Sequence, residues 1–472
     1  MKKFLINISV AVIVSLSIFS CSFLEVDERG KTDTDSFFSE IEGLRTALTG
    51  LYSCAYDFFD DQILKYGEVA GDNLQSVSVG SDASMYYQYN FLSEPDQEST
   101  AVGYIWRRGY VVITNANTIL NYTDDLKKEF PNNAGEITRI EGQALFMRAL
   151  AHMCLTLCYA QPYGYTEDAS HVGIPIVTYV VGTSERLSRK TVGEVYDQIV
   201  KDLEKARTCL GDDVGDTDYV SGPACDALLA RVYLYMGKYD QAEAYADKVI
   251  AQFKLAPHDQ YLAMFTAEEK GSEAIFRLTG KYAGQRMRMF YDYESPHYLP
   301  TEEFISSFSS DDIRAGLLKA PDGHKACMKY YDLKTDSPVD RYYRINILRL
   351  SETYLIRAEA RCQRNNLKGA ADDLKRIMAR AKGMDPSEIS DGQIAASSQK
   401  GLMESIKIER NKELCFEGHR FFDLARWGDD VVRAPGSNSS LKRLAYPDYR
   451  FVLPIPQVEM EANEAMEQNE GF

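Results

Sequence analysis

The chain has 472 residues, and 70 acidic side chains outnumber 53 basic ones, which gives a net charge of −17 at pH 7. This charge opposes contact with a phosphate backbone, and because the sequence holds no basic block with interleaved aromatic residues, it argues against nucleic-acid binding. A hydrophobic fraction of 45% and a charged fraction of 26% are ordinary for a globular protein with a large core.

The N-terminus has the pattern of an export signal. Lys2 and Lys3 precede an apolar stretch at positions 4–19, and Ser20 stands directly before Cys21. A membrane-spanning helix is the competing interpretation, but the stretch is shorter than the roughly 20 residues required and contains several polar side chains. The arrangement resembles a bacterial lipobox. It predicts cleavage after Ser20, a diacylglyceryl group on the Cys21 thiol and an acyl chain such as palmitate on the new N-terminus.

Eight further cysteines follow, and none of their spacings is that of a zinc site. An exported protein can form disulfides, so pairing stays an alternative. Most of these cysteines fall in helical patterns, however, and we interpret them as small buried hydrophobic side chains. They are Cys54, Cys154, Cys158, Cys209, Cys225, Cys327, Cys362 and Cys415.

The mature chain begins with a polar, acidic segment over 21–34, which we expect to be a tether. Helical spacing of apolar residues predicts a first helix over 37–59 and a second over 104–126. Between them, residues 67–99 are rich in Ser, Gly, Asp and Tyr. This composition predicts a long irregular excursion, the kind of segment on which binding groups are often carried.

A third helix is predicted over 134–160, ending before Pro162. The short β-branched segment over 173–181 is expected to be extended. Thr191 and Glu194 have the spacing of a capping box, which predicts that the next helix begins there.

Two later stretches share one design of paired helices. In the first, a helix ends at Gly237 and another begins after Tyr239, with small alanines that allow close packing. The stretch over 348–381 repeats this design around a turn at Asn365 and Asn366. Such pairs resemble the tetratricopeptide repeat, which needs stacked neighbours to bury its apolar faces.

The pattern loosens over 255–343, where short extended pieces and many tyrosines occur. A last long helix is predicted over 400–425, followed by an extended tail over 451–455 that its prolines keep out of a helix. The acid run over 211–218 lacks the glycine and glutamate of a complete calcium-binding loop, so a solvated helix connection is favoured over a metal site.

The last long helix also carries a dense charged cluster. Glu413 and Glu417 could act as paired acids in hydrolysis, but each has an arginine within one turn, so a structural ladder is favoured. His419 is interpreted as a packing residue. The sequence has no HExxH helix, no phosphate-binding glycine loop and no nucleophile elbow.

Several stretches together are similar to one family. They are WRRGYVVITNANTIL, GQALFMRALAHMCLTLCYAQPYG, KTVGEVYDQIVKDLEKA, LRLSETYLIRAEA, ERNKELCFEGHRFFDLARWG and FVLPIPQVEMEANEAMEQN. In this order, and behind a lipoprotein signal, they resemble the SusD/RagB family over the whole mature chain. The chain departs from the family at the lipobox, where Ile18 and Phe19 are unusual, and at Glu470, where a proline is usual.

The resemblance implies a mostly α-helical fold. It would be a right-handed stack of four tetratricopeptide-like helix pairs, with an irregular loop-rich region that carries short strands and the ligand pocket. One such fold would cover 35–472, with repeats mainly over 35–255 and the loop-rich segment, a C-terminal repeat and a helix over 256–472.

The resemblance also implies a function. The protein would be a lipid-anchored lipoprotein on the outer face of the outer membrane that captures an oligosaccharide and delivers it to a SusC-like TonB-dependent transporter. No reaction, cofactor or metal is implied. Three alternatives stay open: peptide capture, as in the RagB branch; a structural or adhesion lipoprotein with a protein partner; and a hydrolase that uses Glu413 and Glu417.

Sugars stack on aromatic rings and are held at their edges by polar groups. Trp106 and Trp427 both fall in family scaffold strings, so tyrosines are the candidate platforms. Asp72 and Asn73 match the acid–asparagine pair near the pocket of the family. The alternative, that these tyrosines only pack against the loops and bind no ligand, stays open. The candidate ligand-binding residues are Asp72, Asn73, Tyr86, Tyr87, Tyr89, Asn90, Tyr291 and Tyr293.

Overall fold

A computed structural model describes residues 34–78, 80, 84–265, 273–281, 286–292, 294–320, 322–330 and 342–472. The predictions for the export signal, for Cys21 and for Tyr293 lie outside these residues. The chain forms two compact units, one ending at Gly43 and the other running from Leu44 to Phe472. In the described part of the first unit, the rings of Phe37 and Phe38 pack edge to face with centroids 5.0 Å apart.

Helices dominate the described residues. In chain order they are α1 (Thr34–Phe37), α2 (Ile41–Phe58), α3 (Leu64–Val69), α4 (Tyr86–Asn90), α5 (Ala101–Glu129), α6 (Ala134–Tyr159), α7 (Val192–Leu210), α8 (Gly222–Tyr235), α9 (Tyr239–Ile250), α10 (Arg286–Phe290), α11 (Glu302–Ser306), α12 (Leu350–Gln363), α13 (Leu367–Lys382), α14 (Gln399–Leu414), α15 (Arg420–Trp427) and α16 (Gln457–Ala462). The strands are β1 (Leu74–Ser76), β2 (Ala274–Lys281), β3 (Tyr298–Pro300), β4 (Tyr342–Arg349), β5 (Val431–Val432) and β6 (Arg443–Leu444). The prediction of a mostly helical fold with a few short strands is confirmed.

The long helices pack in series, each against the next: α5 against α6, then α7, α8, α9, α12, α13 and α14. The predicted pairs α8/α9 and α12/α13 are present. Their turns place Gly237 at φ 68° and Asn365 at φ 62°. Glycine and asparagine tolerate this left-handed backbone, which is why these residues mark the turns in the sequence.

The predicted capping box of α7 is also present. The Glu194 amide donates to the Thr191 hydroxyl over 3.2 Å, and the Thr191 amide donates to the Glu194 carboxylate over 2.8 Å. The cap satisfies amides that the first helical turn leaves without partners.

The last long helix differs from its prediction, because it is broken between Leu414 and Arg420. Phe416 and Gly418 adopt φ values of 67° and 80°, which an α-helix cannot accommodate. The buried Glu68 carboxylate accepts hydrogen bonds from the Gly418 and His419 amides at 2.8 and 3.2 Å. A side chain that is distant in sequence therefore supplies the acceptor for the backbone amides at the break.

Three other predicted elements differ from the structure. The helix predicted over 37–59 begins at Ile41 and ends at Phe58, and a kink with non-helical backbone at Asp60 and Asp61 leads from it into α3. Residues 173–181 contain no strand, although Val172 forms an isolated antiparallel bridge with Thr191. The tail predicted as extended over 451–455 begins in a 3₁₀ turn, Tyr449–Phe451.

The described residues form three small antiparallel sheets: β1 with β3 and β2 with β4 join segments that are far apart in the sequence, whereas β5 and β6 are close neighbours along the chain. Leu74 pairs with Pro300, and the Thr301 amide donates to the Asn73 carbonyl over 2.9 Å. This pairing brings the start of the irregular excursion against the segment that leads into α11.

The eight cysteines after Cys21 are free thiols, and six of them are buried, as the helical patterns predicted. Within the described residues, no helix is long and apolar enough to cross a membrane.

Candidate ligand-binding cleft

A cleft of about 450 Å³ lies along the outer face of α14, and we call it the α14 cleft. Its walls come from α14, the segment before β1, the start of α11, and the chain around α15 and β5. The lining residues are Asp72, Asn73, Thr301, Glu303, Phe304, Ser307, Glu404, Lys407, Ile408, Asn411, Lys412, Arg420, Trp427, Asp429, Val432, Arg433, Ala434 and Pro435.

Helical geometry explains why α14 forms one wall. Its inner side chains, among them Leu402 and Ile406, are fully buried in the core. Glu404, Lys407 and Asn411 follow at intervals of three and four, which places them together on the opposite face.

Asp72 and Asn73 are both in this cleft and are held rigidly. Both oxygens of Asp72 accept from the Arg420 guanidinium, at 2.6 and 2.8 Å. The side-chain amides of Asn73 and Asn411 donate to each other over 2.7 and 3.0 Å. Such bidentate and reciprocal bonds fix the orientation of the polar groups before any ligand arrives.

Apolar side chains alternate with these polar groups. Ile408 and Val432 are each 57% exposed, although both are aliphatic. Trp427 is half-buried: its indole N–H donates to Glu359 over 2.9 Å, and the Lys407 ammonium lies 5.1 Å from its ring centroid. The cleft therefore offers apolar contact area beside oriented hydrogen-bonding groups.

The predicted residues of α4 lie behind the cleft wall or outside its lining. Tyr89 is only 1% exposed, and its hydroxyl is 2.7 Å from that of Ser437. Asn90 is buried and accepts from the Ser440 amide over 2.8 Å. These contacts give Tyr89 and Asn90 packing roles, so their burial does not fit the expected ligand contact.

The other predicted tyrosines that the structure describes also lie outside the cleft lining. Tyr86 and Tyr87 are half-buried and pack edge to face with centroids 5.5 Å apart. Tyr291 is 1% exposed and stacks on Tyr330 with centroids 5.7 Å apart, so it offers no free ring face. Its burial raises the pKa of the hydroxyl well above 10.

Sequence reasoning missed most of the cleft, including Ile408, Asn411, Lys412 and Arg433, and it set Trp427 aside as scaffold. The α14 residues had a detectable signal, since they form the face opposite the apolar stripe of that helix. Arg433 had no detectable signal in the sequence, because its position in the cleft depends on partners from distant segments.

Other clefts are present in the described part of the chain, and two of them have larger volumes than the α14 cleft. One of about 650 Å³ is lined by the segment between α6 and α7, including Tyr165 and His171, and by residues near the C-terminus, including Tyr449. Another of about 500 Å³ is lined by Trp106, Val458 and neighbouring side chains. Neither contains a residue that the sequence predicted to bind ligand.

The proposed acid pair of a hydrolase is inaccessible. Glu413 is 0% and Glu417 9% exposed. Arg349 donates to both carboxylates, at 2.6 Å and 2.8 Å respectively. Arg314 and Arg380 also donate to Glu413, so the ladder is structural, although its cations come from other elements and not from the same helix. Burial lowers the pKa of His419 to about 4, so this histidine is neutral at physiological pH.

The acid run over 211–218 is engaged by arginines, since Arg277 pairs with Asp218 over 3.0 Å and Arg207 pairs with Asp212. Among the residues that the structure describes, no group of three or more His, Cys, Asp or Glu side chains could hold a metal ion.

A helical-repeat scaffold that carries an open cleft with preoriented polar groups and exposed apolar side chains defines a ligand-binding protein. Comparison with known proteins gives the family. A model described as "SusD family" matches residues 318–472, and one described as "Starch-binding associating with outer membrane" matches residues 22–234. The chain belongs to the SusD/RagB family. The second description links the family to carbohydrate binding and to the outer membrane.

Individual relatives agree along the whole chain. SusD-like protein P2 of Formosa agariphila is 24% identical over an alignment that covers 100% of both chains. A SusD superfamily protein from Bacteroides thetaiotaomicron is 26% identical with a TM-score of 0.82, over 91% of this chain and 99% of that one. A laminarin-binding SusD-like protein shares the fold, with 21% identity and a TM-score of 0.68 over 92% and 99% of the two chains.

Proposed function

We propose that this protein captures an oligosaccharide in the α14 cleft at the outer face of the outer membrane and delivers it, without chemical change, to a TonB-dependent transporter. The observation that carries the proposal is the cleft itself, in which Asp72 and Asn73 are fixed beside the exposed Ile408 and Val432.

This combination suits a sugar. The axial C–H groups of a sugar ring form an apolar face that gains from contact with aliphatic or aromatic side chains. Its hydroxyl groups need donors and acceptors at fixed positions, and the Asn73–Asn411 amide pair and the Asp72–Arg420 ion pair supply both. Because these groups are already oriented, binding costs little side-chain entropy.

Family membership supports the cellular part of the proposal. The matching description places such proteins at the outer membrane. Lipid on Cys21 would anchor the chain there, and the segment over 21–34 would act as a tether. Delivery to a SusC-like transporter is the step that would make capture useful, since an oligosaccharide needs a route through the membrane.

Isothermal titration of the chain from Ser22 to Phe472 tests capture. It should be carried out against a panel of oligosaccharides and, separately, a peptide pool. We expect oligosaccharide binding, and recovery of the bound sugar unchanged after prolonged incubation. Binding to peptides alone would replace the glycan proposal with peptide capture, and hydrolysis of the sugar would contradict the non-enzymatic part.

A pair of variants locates the binding site. Ile408→Glu should weaken binding by about tenfold or more, because it places a solvated carboxylate on the apolar surface of the cleft. Val180→Glu is the matched control, since Val180 is 49% exposed and does not line the cleft. If both variants bind with the same affinity as the unchanged protein, the binding site lies outside the α14 cleft.

A further inference from the structure

We infer that the ligand of the α14 cleft is an acidic oligosaccharide, whose carboxylate or sulfate group is selected by the charges of Arg433 and Lys412. The inference rests on the proposed capture function of the same cleft and specifies its class of substrate.

Arg433 is a buried cation without a counter-charge. Arg433 lines the cleft, although only 4% of the residue is exposed. Its Nη2 donates to the carbonyl groups of Val69 and Tyr89 at 3.1 and 2.8 Å. Its Nε and Nη1 are buried without an acceptor, and no described carboxylate forms an ion pair with it. The guanidinium also lies 4.1 Å from the ring centroid of Tyr89, but a ring face carries no net negative charge, and desolvation costs several kcal/mol per ion.

Asp72 does not neutralise Arg433. Asp72 contributes to its electrostatic surroundings, but both carboxylate oxygens of Asp72 are bonded to Arg420. Two guanidinium groups therefore share one carboxylate at this wall. Burial lowers the pKa of Arg433 to about 10, so the group still carries its full charge at neutral pH.

Lys412 adds a second cation without a partner. It lines the same cleft from α14 and is half-buried. Its ammonium lies 5.4 Å from the ring centroid of Phe308, and within the described residues it forms neither a hydrogen bond nor an ion pair. Lys407, one turn earlier, differs because it is paired with Asp429 over 2.7 Å.

Four described acids line the cleft: Asp72 and Asp429 are paired with Arg420 and Lys407, and the other two, Glu404 and Glu303, lie where water screens them. The Glu404 side chain is 58% exposed, and Glu303 is exposed as well. Charges interact more strongly in a desolvated wall than in water, so the cations of the wall outweigh the acids of the rim. The net charge of −17 is spread over the whole chain and is screened beyond about 8 Å at physiological ionic strength. A ligand with an acidic group would supply the missing counter-charge.

Titration with three sets of probes tests the inference. They are neutral β-glucan oligosaccharides, uronate oligosaccharides from alginate and pectin, and sulfated oligosaccharides from carrageenan. We expect binding to one of the acidic sets, and the set that binds distinguishes carboxylate from sulfate recognition. Binding to neutral probes alone would overturn the inference and leave the capture function intact. Binding to no oligosaccharide would overturn both.

Variants identify the residues responsible. Arg433→Gln and Lys412→Gln should each weaken binding of the acidic probe by about 10-fold to 100-fold. Lys412 is half-buried, so Lys412→Gln keeps the test valid should Arg433→Gln fail to fold. Lys368→Gln is the control, because the Lys368 side chain is 88% exposed and lies outside the cleft. Unchanged affinity of folded Arg433→Gln and Lys412→Gln for the acidic probe would overturn the assignment.

Discussion

Glu68 is a buried acid that forms hydrogen bonds with the backbone at the break between α14 and α15. Its side chain is fully buried, and one oxygen accepts from the two amides at the break between α14 and α15. The other oxygen has no hydrogen-bond partner among the described residues. Loss of hydration outweighs the two hydrogen bonds and raises the pKa of Glu68 from 4.5 to about 7.

This shift predicts a pH-dependent difference between the protein and Glu68→Gln. Below pH 4.5 the carboxyl is protonated in both folded and unfolded states, so folding does not bury a charge at Glu68. Above pH 7 the folded state must bury a charge, at a cost of about 3 kcal/mol. Relative to the unchanged protein, Glu68→Gln should therefore gain unfolding free energy as pH rises from 4.5 to 7.

Urea denaturation of both proteins at pH 5 and pH 7.5 measures this gain. Comparing the two proteins cancels the opposite contribution of buried histidines such as His152, whose pKa is lowered to about 3. Glu464→Gln is a suitable control, because Glu464 is exposed. A difference that does not change with pH would contradict the buried-charge explanation.

At the scale of elements, the break between α14 and α15 is held by a close approach of two glycines. A Cβ added to Gly67, in the middle of α3, would overlap the carbonyl oxygen of Gly418. Alanine is otherwise the better helix residue, so sequence propensity and tertiary packing disagree at this position.

Gly67→Ala should lower the free energy of unfolding by about 1–3 kcal/mol through this overlap. Gly50→Ala, within α2, should instead raise it by about 0.5–1 kcal/mol, because Gly50 is exposed and its added Cβ meets nothing within 4 Å. Thermal denaturation of the two variants measures the contrast. A stabilised Gly67→Ala protein would show that α3 and the break do not touch in solution.

The buried ion cluster ties β4 to α14 and to the chain that follows it. Arg349, at the end of β4, donates to Glu273 over 2.9 Å and to Glu413 and Glu417. Removing one member of such a cluster leaves buried charges without compensation, which costs more than the cluster contributes when intact.

Arg349→Met should therefore destabilise the protein by about 3–5 kcal/mol. Adding Glu417→Gln should recover part of the loss, since it removes one of the stranded carboxylates. Lys368→Met is the matched control: its exposed pair with Asp372, at 2.8 Å, should contribute less than about 0.5 kcal/mol. Denaturation curves for the four proteins provide the comparison, and equal losses from Arg349→Met and Lys368→Met would contradict it.

At the scale of the whole molecule, we expect anchoring and ligand binding to be separable. Cys21→Ala should release the protein from the membrane fraction, because the proposed lipid carries the attachment. Affinity for the oligosaccharide should stay unchanged, since every residue of the α14 cleft lies at or beyond Asp72. Fractionation by immunoblot and titration of the released protein are the measurements. Loss of binding in Cys21→Ala would contradict this separation.

The sequence by itself determined the helical class, the paired helices and many of the turns. Capping residues, alanine spacing and the residues at Gly237 and Asn365 act locally, through contacts within a few positions of the chain. Their signals survive without knowledge of the tertiary structure. For the candidate site, resemblance to the family identified Asp72 and Asn73, which do line the cleft.

The tertiary structure decided the break after Leu414, the burial of Tyr89 and Tyr291, and the composition of the cleft. Each depends on a partner far away in the chain, as Glu68 does for the break and Tyr330 for Tyr291. Exposure of a tyrosine, or the lack of a counter-charge at Arg433, is a property of the assembled surroundings. The spacing of residues along the chain cannot encode these two properties, because burial and electrostatic compensation are set by residues that only folding brings together.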